Sequence, residues 1–189
     1  SRMVDVIGEH LDGMTSVVDV ACGSGLYGLH LRAVSESVYG IDHDPELCAS
    51  ARSTGAYDQV ACDTIEQIGR HFESVDAVFC SEFLEHVPPA NLRGLLDAIE
   101  AIATTRIVVT VPNPLSPHFR HDPTHIGRYS VFSMRRTLND GGRFVYRLLP
   151  LGFSEVERRQ RRWMGLLQPL SRRVAVLSPT VLYVGDRVS

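Results

Sequence analysis

Lysine is absent from the 189-residue chain: all 19 basic residues are arginine, so every permanently charged cation is a guanidinium, which forks readily to carboxylates and phosphates. Cysteine is scarce and scattered, with Cys22, Cys48, Cys62 and Cys80 far apart and no C-x-x-C pair. That spacing argues against a zinc knuckle or a disulfide framework, and the strand-like or small-residue settings of three of them predict buried thiols in a reducing compartment. No run of 18 apolar residues occurs, which excludes a membrane-spanning helix, and no secretory signal pattern opens the chain. A soluble cytoplasmic protein is therefore expected. Internal repeats, linkers and low-complexity tracts are missing as well. With 44% hydrophobic residues, the chain is read as a single domain, 1–189, with one sizeable core.

What is present is an alternation of short apolar runs with helical patterns, which predicts βαβ units, a parallel sheet and helices on both of its faces. Strands are expected at 16–21, 37–41, 57–61, 75–80, 106–111, 143–149 and 180–187. Helices are expected at 2–12, 26–34, 45–54, 65–71, 89–103 and 130–138. Asp44 reads as the N-cap of the third helix, with Pro45 at its first position. After the breaker run Pro112-Asn113-Pro114, a His- and Pro-rich loop continues to about Tyr129. Loops of that length inside a compact domain usually cover a site, so 113–129 is read as a lid.

The stretch VVDVACGSGLYG, residues 17–28, holds two patterns. Gly23, Gly25 and Gly28 spell the G-x-G-x-x-G of dinucleotide sites, which sets backbone N–H groups at the switch point of an open α/β sheet. Asp19, however, stands just before the loop. A carboxylate there repels a pyrophosphate, at a cost of roughly a few kcal/mol in a low-dielectric crevice. It suits S-adenosylmethionine, which has no phosphate and carries a sulfonium and an ammonium. Further on, Tyr39-Gly40-Ile41-Asp42 ends a strand on an acid able to accept both ribose hydroxyls. Ala61-Cys62-Asp63 ends the next strand on an acid placed to reach an adenine amino group. Asp63 also heads D-T-I-E, a capping-box variant, and the two roles are compatible.

At this point the chain resembles the class I S-adenosylmethionine-dependent methyltransferases. The resemblance rests on VVDVACGSG, GIDHDPEL, ACDTIEQI, VDAVFCSEFLEHV and RIVVTVPNP, in that order and spacing. It implies a Rossmann-like, seven-stranded, mostly parallel sheet with an antiparallel last strand. It further implies S-adenosyl-L-methionine as cofactor, contacted at Asp19, Ala21, Gly23, Gly25, Asp42, His43, Asp63, Thr64 and Cys80. One departure is Ala21, where such chains most often carry glycine; alanine is tolerated unless the position requires positive φ.

Methyl transfer from a sulfonium needs positioning and, for a hydroxyl acceptor, a base. Candidates follow the fourth and fifth strands: S-E-F-L-E-H-V (81–87) and the histidines of the 113–129 loop. If residues 82–86 turn helically, Glu82, Glu85 and His86 share one face. His86, His125 and Glu82 are the expected catalytic groups, with no metal. The same stretch resembles ubiquinone-type O-methyltransferases, which implies oxygen methylation of a small or lipid-like acceptor. It also resembles the small-RNA 3′-terminal ribose methyltransferases. That alternative implies a divalent metal held by Glu82, Glu85, His86 and either His121 or His125. The N/D-P-P-Y/F run of exocyclic-amine DNA methylators is missing after the fourth strand. A third alternative is a cofactor-binding interaction module without turnover.

Charge is uneven along the chain. Residues 1–150 hold 12 Arg against 19 acidic residues, whereas 151–189 hold 7 Arg against 3. The segment 155–177, containing RRQRRWMGLLQPLSRR, is read as an Arg-rich insertion that packs as a lid with a solvated face. The functional alternative is peripheral contact with an anionic membrane or a lipid-like acceptor. Nucleic acid is not expected as a partner, because interleaved exposed aromatics are lacking.

Overall fold

The computed structural model describes residues 2–116, 119, 122–152 and 169–188. The strands are β1 (Ser16–Val20), β2 (Ser37–Asp42), β3 (Gln59–Cys62), β4 (Val75–Ser81), β5 (Ala103–Pro112), β6 (Phe144–Pro150) and β7 (Thr180–Arg187). They form one sheet in the order β3-β2-β1-β4-β5-β7-β6. Strands β1 to β5 pair in parallel, and β7 runs antiparallel between β5 and β6, the Rossmann-like α/β arrangement expected from the sequence. Strand order reverses between β1 and β4, so the crevice of the fold opens at their carboxyl ends.

Both faces of the sheet are covered. The helices α1 (Arg2–Leu11), α2 (Gly28–Arg32) and α3 (Pro45–Ser53) lie on one side, where Val6, Ile7, Leu11 and Leu31 pack with Val17 and Phe79. The other side holds α4 (Pro89–Ile102), α5 (Val131–Asn139) and a 3-10 helix, Ile65–Arg70. There Leu92, Leu96, Ile68 and Met134 pack on Val18, Val20 and Val78. Buried on both faces, the apolar stretches 77–80 of β4 and 107–109 of β5 made these strands legible in the sequence. Among the described residues no helix is long and apolar enough to cross a membrane.

Local departures from expectation have physical causes. The third helix is capped as predicted: Asp44 Oδ1 accepts from the N–H groups of Glu46 at 2.8 Å and Leu47 at 3.3 Å. The second helix is shorter than 26–34, because the glycine loop turns until Tyr27 before α2 begins. Residues 65–70 wind as 3-10 rather than α. Strand β5 starts directly at the end of α4, without the expected gap.

Strand β3 starts two residues later than expected because Tyr57 turns aside. A Cβ placed on Gly28 would lie 2.5 Å from Tyr57 Cε2, one on Gly25 3.1 Å away, and one on Gly40 3.2 Å from Tyr57 Cδ1. Three glycines thus leave a slot that the tyrosine ring occupies. Gly28→Ala is expected to destabilise the fold by about 2 kcal/mol through overpacking, measured as a lower urea midpoint at constant m-value.

Candidate functional site

The glycine loop joins β1 to α2 across the crevice. Ala21 and Gly25 hold positive φ, +54° and +88°. Alanine therefore occupies a left-handed position where such chains carry glycine, and the departure noted in the sequence is a strained one, worth about 1–2 kcal/mol. Gly25 N–H donates to the Cys22 carbonyl at 2.9 Å, closing the turn.

Asp19, on β1, is 2% exposed. Its Oδ2 accepts from the Tyr57 hydroxyl at 2.7 Å. Burial pushes its carboxyl up to about 7; the Tyr57 hydrogen bond opposes that rise and the neighbouring Asp42 adds to it. Asp42, at the end of β2, accepts from Gly23 N–H at 2.9 Å through Oδ2 and from Asp44 N–H at 3.0 Å through Oδ1. The acid thereby ties the loop to the second strand. His43 follows it at the surface, its Nδ1 3.5 Å from Asp42 Oδ1.

Asp63, after β3, is linked to the same edge by its N–H, which donates to the Asp42 carbonyl at 3.0 Å. Its carboxylate accepts from Thr64 N–H at 2.8 Å and lies 2.8 Å from His71 Nε2. That hydrogen bond to His71 holds its pKa below the usual carboxylate range. Thr64 is the N-cap of the 3-10 helix and makes no side-chain cap, so the capping-box reading of D-T-I-E does not hold in that form. Cys80 is fully buried in the core beneath the loop, so its thiol packs rather than lines the crevice.

The second half of the site follows β4. Glu82 is exposed at φ +52°, and the helical turn after it spans only Leu84–His86. The shared face of 82, 85 and 86 is thus not formed. Glu85, His86 and His125 come together instead, with one ligating atom from each within 4.8 Å of the others. The Nε2 atoms of both histidines lie 3.9 Å from Glu85 Oε1. Glu82 is outside that group, although its charge reaches Glu85. His121 lies outside the described residues, as do residues 153–168, most of the Arg-rich insertion.

Hydrogen bonds fix which nitrogen of each ring is free. His125 Nδ1 meets the Phe119 carbonyl at 3.2 Å, and a carbonyl only accepts, so Nδ1 carries the proton. Thr124 gives its hydroxyl proton to Asp122, so its oxygen accepts from His86 Nδ1 at 3.0 Å. In their neutral forms both rings turn an Nε2 lone pair toward Glu85. Burial, followed by the nearby His125, lowers the His86 pKa and favours that neutral form. The end of the loop is pinned to the turn: Gly127 N–H donates to the Glu85 carbonyl at 2.7 Å and the Tyr129 hydroxyl to the Val87 carbonyl at 2.8 Å.

Glu85 itself is wholly buried, and neither carboxyl oxygen has a hydrogen-bond partner among the described residues. Burial, then the charges of Glu82 and Asp122, push it up to about 8. Sequence reasoning placed the acid at Glu82 and missed the Tyr57 support of Asp19. The slot of glycines facing one tyrosine was visible only as separate residues.

Residues 17–105 match the family described as "Methyltransferase domain". A ubiquinone biosynthesis O-methyltransferase of Xanthomonas oryzae pv. oryzae is 36% identical over 91 residues, 45% of this chain and 38% of that protein. The mitochondrial ubiquinone biosynthesis O-methyltransferase of Rattus norvegicus is 35% identical over 88 residues, 42% of this chain and 25% of its own length. The matched region thus spans well under half of these curated relatives. Among solved structures, a SAM-dependent methyltransferase from Archaeoglobus fulgidus superposes with a TM-score of 0.72 at 18% identity, covering 99% of this chain and 95% of that one. The methyltransferase domain of bacterial CtHen1-C gives 0.71 at 15% identity, covering 99% and 95%. At these identities the likeness is one of fold.

Proposed function

Because residues 17–105 form a methyltransferase domain on the fold of S-adenosylmethionine-dependent methyltransferases, we propose that the protein transfers a methyl group from S-adenosylmethionine to an oxygen of a small or lipid-like acceptor. The observation that carries this reading is the Glu85–His86–His125 group. It stands just beyond β4, the strand paired directly with the one that bears Asp19.

The residues present fit the cofactor. Asp19 offers a buried carboxylate to a cationic group, and Asp42 stands at the strand end where a ribose is held. When bound, S-adenosylmethionine supplies a methyl group already activated on a sulfonium. The chain's own work is then orientation and proton handling. His86 and His125, each with its lone pair on Nε2 in the neutral form, are placed to take the proton of an acceptor hydroxyl, worth about 10²- to 10⁴-fold, and Asp122 Oδ2, 3.6 Å from His125 Nε2, is placed to steady the resulting imidazolium. Asp122 and Thr124 keep His86 in the tautomer that does so. Residues 122–129 of the loop are assigned to the acceptor side, while the Arg-rich segment expected there lies largely outside the described residues.

A second reading is favoured by the two unsatisfied oxygens of Glu85. A buried carboxyl without partners is costly, and a divalent cation would relieve it. One carboxylate and two imidazoles form a ligand set suited to zinc or another borderline ion with an open position. Such an ion, when bound, would polarise a ribose hydroxyl, as in 3′-terminal methylation of small RNA.

The test is methyl transfer from a labelled donor to a small-molecule extract and to small RNA, each with and without EDTA. Label in the small-molecule fraction that resists chelation supports the first reading. Label in RNA that chelation abolishes and added metal restores supports the second. Tight cofactor binding with no label in either fraction would leave an interaction module without turnover.

A further inference from the structure

We propose that Tyr57 is a positioning residue for the cofactor: it holds Asp19 so that Oδ1 faces the ammonium of S-adenosylmethionine, and the enclosure of Asp19 makes cofactor binding a proton-releasing step whose midpoint the Tyr57 hydroxyl keeps low. The inference rests on the reading that the crevice takes this cofactor.

Three observations support it. First, the fold commits Gly25, Gly28 and Gly40 to seating one tyrosine ring, whose hydroxyl meets Asp19 Oδ2 at 2.7 Å. Second, the Tyr57 hydroxyl engages Oδ2, and Asp19 as a whole is only 2% exposed. Third, no counter-charge is at hand among the described residues. The titratable groups that face Asp19 are Tyr57, Asp42, Cys22, Tyr27 and Cys80, and none of them is a cation at any pH. An acid so enclosed keeps its proton until a cation arrives. On binding, the Asp19 carboxyl O–H breaks, the proton leaves to solvent, and the carboxylate pairs with the ligand ammonium while Tyr57 continues to donate to it. Asp19 titrates near 7, so this exchange falls in the neutral range.

Tyr57→Phe keeps the ring in its slot and deletes only the donor. Calorimetric titration is run between pH 5.5 and 7.5 in buffers of different ionisation enthalpy, for wild type and variant. The probes are S-adenosylmethionine, S-adenosylhomocysteine and 5′-methylthioadenosine, the last of which lacks the amino-acid moiety. For wild type, the two amino-acid-bearing ligands are expected to release close to one proton below pH 7 and to tighten about tenfold per pH unit there. 5′-Methylthioadenosine is expected to bind without pH dependence.

In Tyr57→Phe the midpoint should move to higher pH, with about tenfold weaker S-adenosylmethionine binding at pH 7. 5′-Methylthioadenosine binding should be unchanged, which also shows that the variant is folded. An unchanged midpoint in the variant, or the same pH profile for 5′-methylthioadenosine, overturns the inference while leaving the cofactor assignment intact. Failure of wild type to bind S-adenosylmethionine at any of these pH values overturns the functional reading and this inference with it.

Discussion

Glu85→Gln is expected to lower methyl transfer by about five- to tenfold, through loss of the carboxyl beside the His86 and His125 bases, while cofactor affinity stays within about twofold of wild type. The substitution keeps the shape and removes the ionisable oxygen that both histidines face at 3.9 Å. It belongs to the proposed proton-handling group and not to the proposed cofactor contacts at Asp19 and Asp42, so the loss should appear in the rate and not in cofactor binding. Stability should respond in the opposite sense. Burial raises the Glu85 carboxyl to about 8, above its unfolded value, so its protonated form stabilises the fold below about pH 4.5 and that contribution is lost as pH rises through 8. Glutamine cannot ionise. Thermal melts should show the variant gaining on wild type between about pH 4.5 and 8, and a variant that loses activity only by unfolding would show the reverse.

Asp19→Asn should separate cofactor binding from stability even more sharply. Removing the buried carboxylate is expected to weaken S-adenosylmethionine by about 100-fold or more, the scale for deleting one partner of a buried charged contact. The same change should stabilise the ligand-free protein above neutral pH. The folded Asp19 titrates near 7, so wild type loses up to roughly 4 kcal/mol as pH rises from 4 through 7, and asparagine does not. In calorimetric melts at pH 8.5, the variant should unfold about 5–10 °C above wild type, with little difference at pH 4. Coincident losses of binding and of melting temperature would mean that Asp19 is a structural acid instead.

Much of the fold could be read from sequence because the signals were local and repeated. The apolar runs of β4 and β5 record burial on two faces, and Asp44-Pro45 announces the start of α3. The placement of Asp19, the glycine loop and Asp42 around one crevice was legible for a related reason: they lie at or near strand ends, whose positions follow from topology. The acceptor half was harder. An i, i+3, i+4 pattern assumes an α-helix, whereas positive φ at Glu82 and a three-residue 3-10 turn bring Glu85 forward in its place. The approach of His125 to His86 depends on loop contacts made by Gly127 and Tyr129 with residues some forty positions earlier. Nor does any local pattern show that Gly25, Gly28 and Gly40 face the same tyrosine.

The central claim is that the charge at the end of β1 selects a cationic cofactor, although the glycine loop also spells a dinucleotide pattern. Titrating the wild-type protein at pH 7.5 with S-adenosylmethionine and, separately, with NAD tests it most directly. One-to-one, saturable binding of S-adenosylmethionine below about 1 mM, with no saturable NAD binding in that range, is the predicted result. Saturable NAD binding without S-adenosylmethionine binding would contradict the account.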